Sequence, residues 1–129
     1  MFDARGLGEA ERLIDEWRGA IEVRASRARE LSSRLALLTE TARSPDGLVT
    51  VTVGAGGDLT GLDLGEGIRQ RPATVTAREI MTTLRAARSA MVAAVTVTTT
   101  ETIGADSATG RAVIETFAAR FRPEDGCRD

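Results

Sequence analysis

The chain has 129 residues and is 42% hydrophobic, with 17 basic residues, all arginine, against 19 carboxylates, a net charge of −2 and a pI near 5.3. That is the size and composition of one ordinary globular domain with room for an extra terminal element. The acidic balance excludes a uniformly basic nucleic-acid binder, though not local basic patches. The absence of histidine removes the usual general base near neutral pH and the commonest metal ligand.

Other counts narrow the class further. The single cysteine, Cys127, can form neither an internal disulfide nor a zinc site, and reads as a tail thiol. With no disulfide framework, no apolar N-terminal run and no stretch of about 18 apolar residues, a cytoplasmic protein is expected. One Trp, three Phe and no Tyr leave a core of Ala, Val, Leu and Ile. A second copy would supply the missing apolar surface, so a homodimer is expected.

The chain opens on a predicted long helix, Glu9 to Arg43. A heptad places Leu7, Ile14, Ile21, Ala28, Leu35 and Ala42 at a, and Ala10, Trp17, Arg24, Leu31 and Leu38 at d; only Arg24 is not apolar. Such a seam packs either along a partner helix or onto the protein's own sheet. Ser44-Pro45-Asp46-Gly47 is expected to end this helix, because proline disfavours helical geometry before it and Asp-Gly favours a turn. Val49, Val51 and Val53 then alternate with Thr50 and Thr52, the period of a half-buried strand. A glycine-rich turn, Gly54 to Asp58, leads to a partner strand, Leu59 to Leu64, completing a β-hairpin. That turn is no phosphate loop: it runs into a strand, lacks lysine, and carries Asp58.

After a connecting loop, Thr76-Ala77-Arg78-Glu79 has capping-box spacing and opens a predicted second helix, about Ala77 to Val97. Ile80, Leu84, Ala87, Met91, Ala94 and Val95 form its apolar face, and the β-branched run to Thr100 marks its end. Arg111 to Phe121 reads as a short amphipathic helix with Val113, Ile114, Phe117, Ala118 and Phe121 on one side, followed by a polar tail.

Two strands carry a resemblance. Gly47-Leu48-Val49-Thr50-Val51-Thr52-Val53, a glycine turn, and Leu59-Thr60-Gly61-Leu62-Asp63-Leu64 stand between a long helix and a helix rich in small residues. This pattern, with the opening Met1-Phe2, resembles the YbaB/EbfC family of bacterial nucleoid-associated proteins over about residues 1 to 100. The resemblance implies an intertwined homodimer presenting helices to double-stranded DNA, with a role in nucleoid organisation or regulation. The chain departs from the family pattern in an Arg/Glu/Ala-rich first helix, a shorter segment before the first strand, and the added helix at Arg111 to Phe121. These departures resemble divergent relatives associated with type VII secretion, some of which look like partner or chaperone-type proteins.

The expected architecture is therefore α+β: a long N-terminal helix, a β-hairpin whose sheet is completed across a homodimer, a C-terminal helix and a short extra helix. Residues 1–104 form the family-like domain and 105–129 the addition. The interface falls to Ile14, Trp17, Ile21, Leu31, Leu35, Leu38, Val49, Val51 and Val53. The candidate phosphate contacts are Arg24, Arg27, Arg29 and Arg34 on the first helix and Arg78, Arg85 and Arg88 on the second, since a guanidinium donates two hydrogen bonds at once. The competing reading is a protein-interaction module, in which Val113, Ile114, Phe117 and Phe121 dock into a partner's groove rather than folding back at home. An enzyme is not expected: Asp58, Asp63 and Glu66 are neighbours in sequence, but no histidine, lysine or embedded nucleophile joins them. No metal or cofactor is expected.

Overall fold

The computed structural model describes residues 4–104 and 106–121. The elements are α1 (Ala4–Ala36), β1 (Glu40–Arg43), β2 (Val49–Val53), β3 (Leu59–Leu64), a 3-10 turn (Glu66–Gln70), α2 (Ala73–Thr102) and α3 (Ala108–Arg120). The three strands form an antiparallel meander in the order β1-β2-β3.

The central strand carries the core. Val49, Val51 and Val53 are completely buried, and they meet Ala87, Met91 and Val95, which recur along one face of α2. Period 2 on the strand thus faces helical spacing on α2, and both stripes lose their water. Leu35 of α1, Leu38, Ala42 of β1, Ile80 and Leu84 close the sides, and Val113 and Phe117 of α3, with Phe121 just past its end, close the end. Leu59, Leu62 and Leu64 lie opposite the three valines on the edge strand and stay four- to five-tenths exposed. The other face of the sheet carries threonine: the hydroxyls of Thr41 and Thr52 lie 3.0 Å apart.

The structure corrects several expectations. The first helix stops at Ala36, and residues 40–43 form β1, pairing Glu40 with Val53 through Arg43 with Thr50. Leu38 and Ala42 therefore leave the heptad and pack on the core instead. The sheet gains its third strand from within the chain, so a partner is not needed to make it three-stranded. Ser44-Pro45-Asp46-Gly47 is the β1–β2 turn, not a helix end: Gly47, at φ 77°, donates to the Ser44 carbonyl at 2.9 Å. The second helix begins at Ala73, directly after Pro72, and continues to Thr102. Its β-branched run stays helical because Val95, Thr98 and Thr99 are buried. An 18-residue window of α2 reaches a mean hydropathy of 1.2, enough to cross a membrane by length and composition alone, although threonine and charged residues interrupt its apolar run. The buried residues of α2, however, share one face, which meets the sheet.

The capping-box pair has another task. Thr76 and Glu79 both accept hydrogen bonds from Arg71, through Nε at 3.4 Å and Nη2 at 2.9 Å. The remaining arm of the guanidinium reaches Asp46 at 2.8 Å. Arg71 thus clips the β1–β2 turn to the first turns of α2. Asp46 Oδ1 also accepts from the Ser44 hydroxyl at 2.6 Å and the Leu48 amide at 3.0 Å. These bonds to Ser44 and Leu48, with Arg71 beside them, hold the Asp46 carboxyl well below its ordinary range, at about 2.

This packing makes stability depend on pH at one turn and on an unpaired hydroxyl in the core. Asp46 has a depressed folded pKa, so its contribution is present above the unfolded value, 3.8, and is lost as pH falls toward about 2. Denaturant titrations of Asp46→Asn and the native chain should differ at pH 7 and converge by about pH 2; a constant difference would show that ionisation is irrelevant. Thr99 is fully buried and its hydroxyl has no hydrogen-bond partner among the described residues. Thr99→Val keeps the shape and removes the unpaired hydroxyl, so it should stabilise the protein by about 1 kcal/mol in the same assay.

Candidate nucleic-acid interface

The seven arginines singled out from sequence divide into three situations. Arg24, Arg27 and Arg29 of α1 are exposed and form no ion pair among the described residues. Arg78 and Arg85 of α2 are exposed as well; Arg85 makes only a long contact, 3.4 Å, to the Thr82 hydroxyl one turn back. Arg34 and Arg88 are engaged at home.

Arg34 joins the two long helices. It donates to Glu101 at 2.9 Å and to the Thr102 hydroxyl at 3.1 Å, with Glu30 3.9 Å away on its own helix. Arg88 reaches across to the glycine-rich turn and donates from Nε to the Gly57 carbonyl at 3.0 Å. Gly57 sits at φ 82°, and a Cβ there would lie 2.5 Å from the Phe121 ring. The glycine-rich turn is thus held between Arg88 and Phe121, with a conformation and clearance only glycine supplies. Asp58 and Asp63 are exposed on that turn and on β3, and Glu66 pairs with Arg69 at 3.2 Å. Among the described residues no cluster of His, Cys, Asp or Glu is able to hold a metal ion.

The free arginines form two patches, not one. Arg34 fixes α1 at the C-terminal end of α2, whereas Arg85 lies 17 residues back from Thr102, about 26 Å along the helix. Arg24, Arg27 and Arg29 lie on the other side of that junction, toward the N-terminus of α1. The sequence grouped these residues by helical spacing; it held no sign of the long-range bonds that remove Arg34 and Arg88.

The proposed interface residues also divide. Val49, Val51 and Val53 are completely buried within one chain, so they are core and have no surface to offer a partner. Leu31 is buried, and Leu35 and Leu38 are half-buried at the base of α1. By contrast Ile14, Trp17 and Ile21 are exposed, with Leu7, Leu13 and Val23 beside them; Trp17 is 66% exposed. Val113, Phe117 and Phe121 are occupied by the chain's own core, so this face of α3 is used at home. Phe117 stacks edge-on with Phe121, ring centroids 5.7 Å apart, and Arg120 covers the Phe117 ring at 5.2 Å.

Between α1 and the α2–α3 corner lies an open cleft of about 740 Å³, which the sequence did not reveal. Ala28, Leu31 and Leu35 line it from α1, together with Arg24 and Arg27, and Ile103 and Val113 line it from the corner. The corner is set by two glycines: Gly104 ends α2 at φ 86°, and a Cβ on Gly110 would collide with the Gly104 carbonyl.

Residues 19–105 match the YbaB/EbfC DNA-binding family. The chain belongs to that family. The match takes in the last half of α1, the sheet, and α2; the first turns of α1 and all of α3 lie outside it. Among curated proteins and solved structures, nothing matches the chain. The family is one of nucleoid-associated DNA-binding proteins, which agrees with the resemblance read from the two strands.

Arg88 and Arg78 offer a direct comparison, being on the same helix with opposite surroundings. Arg88→Ala should lower the stability of the fold by roughly 1–2 kcal/mol, because a charged donor to a carbonyl is removed, whereas Arg78→Ala should change it by less than about 0.5 kcal/mol. Thermal melts of the two variants check this; equal effects would mean that the Gly57 clasp carries no weight.

Proposed function

We propose that the protein is a homodimer that binds double-stranded DNA through phosphate contacts, without reading sequence, and serves nucleoid organisation or regulation. The observation that carries the reading is family membership across the sheet and α2 together with five exposed arginines that form no ion pair among the described residues: Arg24, Arg27, Arg29, Arg78 and Arg85. A planar guanidinium suits a phosphate, and contacts of this kind position a protein on a duplex irrespective of its bases. The low aromatic content and the absence of any aromatic residue among these arginines argue against stacking on single strands. A dimer doubles the count of arginines, which lets an acidic chain bind a polyanion through local patches. Support for the dimer is the row of exposed apolar residues on α1, from Leu7 to Val23, an unusual surface for a monomer.

The same row supports a second reading, a chaperone-like partner module without significant DNA binding. Salt-dependent binding separates the two. With about six phosphates engaged per dimer, affinity for generic duplex DNA should fall by about three orders of magnitude between about 50 and 200 mM salt. Changing Arg78 and Arg85 together to Ala should flatten the log–log salt slope by about 0.9 for each phosphate that is no longer neutralised. Fluorescence anisotropy with labelled duplexes of unrelated sequence measures both. Binding that ignores salt would sink the phosphate mechanism, and no binding by a folded dimer at low salt would favour the partner module.

A further inference from the structure

The exposed part of α1 and the cleft at its base are complementary, yet one chain cannot bring them together. Trp17 and Ala28 are eleven residues apart on one continuous helix, about 17 Å along its axis, so the exposed segment cannot reach its own cleft. A second copy can.

We propose that the cleft between α1 and the α2–α3 corner receives the exposed N-terminal arm of α1 from a second copy, the two α1 helices running antiparallel so that each protomer fills the other's cleft. This inference rests on the homodimer reading above and assigns its contact surface. Three features lead to it.

The first is charge. Residues 6–18 carry four carboxylates, Glu9, Glu11, Asp15 and Glu16, against two arginines, whereas residues 24–34 carry four arginines and one glutamate. Antiparallel packing with facing residue numbers adding to 45 lays residues 6–18 over the partner's residues 27–39, which carry Arg27, Arg29 and Arg34; parallel packing would place like on like.

The second is shape. In an antiparallel pair the a residues of one helix face the d residues of the other. With residue numbers across each layer adding to 45, Trp17 meets the partner's exposed Ala28 and Ala10 meets the partner's half-buried Leu35, while Ile14 lies over the partner's Leu31, which its own chain already buries. The largest side chain falls opposite a small one, as dense packing requires. Arg24, the one charged residue of the seam and one that lines the cleft, falls opposite the partner's Ile21, where its stem covers apolar surface.

The third is position. The arm's apolar residues Leu7, Leu13, Ile14 and Trp17 and the α3 wall of the cleft both lie outside the residues matched to the family. The arm and the α3 part of the cleft each leave apolar surface in water unless the other covers it.

Cross-linking tests the register in the full-length chain. In a Cys127→Ser background, Glu11→Cys and Ser32→Cys replace two exposed residues that flank the seam at e positions, which face each other in this alignment. Within one chain they are 21 residues apart, about 32 Å, too far for a short bis-maleimide. The double variant should shift to twice the mass on a denaturing gel, an equimolar mixture of the two single variants should do the same in part, and each single variant alone should stay monomeric on the gel. Light scattering on the same samples reports the assembly. A dimer in which the double variant fails to cross-link, or in which either single variant cross-links to itself, overturns the docking and leaves the homodimer resting on another face. A monomer at every concentration overturns both.

Discussion

The structure depends on one contact: three valines of a single central strand against three small or flexible residues of a single helix. Val49, Val51 and Val53 present one face of β2, and Ala87, Met91 and Val95 receive it. Every other element is placed by this contact. β1 and β3 pair with the flanks of β2, α1 leans on the end of α2, and α3 folds back over the far side. The chain has few aromatic residues with which to fill space, so its core is thin, and a thin core needs close approach. Ala87 supplies that approach on the helix, and Met91 adapts to what remains.

The same constraint explains where long polar side chains are used. Arginine takes on the joining role that larger apolar residues have elsewhere. Arg71 joins the β1–β2 turn to the start of α2, Arg88 joins the middle of α2 to the β2–β3 turn, and Arg34 joins α1 to the end of α2. Each ties a turn or a helix to its neighbour through donors held in a fixed plane. Arg24, Arg27, Arg29, Arg78 and Arg85 stay outside these bonds and are exposed.

The arm of α1 shows the other side of a thin core. Among the described residues its first half is exposed, and it carries apolar residues at the spacing of a seam. Its acidic half and basic half belong to one helix, which is a poor arrangement for a solitary helix, since the carboxylates and arginines cannot fold back onto one another. Between two antiparallel copies that separation becomes complementary.

Much was legible from the chain alone because it is written in local periods. The Val-Thr alternation determined β2, the glycine turn and leucine spacing determined β3, and the apolar rows determined the three helices as existing elements. These strands also carried the family resemblance. Other decisions belonged to the tertiary structure. Glu40-Thr41-Ala42-Arg43 has no strand signal of its own, and Leu38 and Ala42 continue the helical heptad; only the bonds offered by β2 turn that segment into β1. Thr76 and Glu79 match a helix-start motif, yet they serve a guanidinium from the preceding loop. Arg88 looks as free as Arg78 and Arg85, and Arg34 shows only its helical neighbour Glu30, because the acceptors that engage them across the fold, Glu101 and the Gly57 carbonyl, lie 67 and 31 residues away. A period repeats within a few residues and can be read along the chain, whereas a partner brought from a distant segment exists only once the chain has folded.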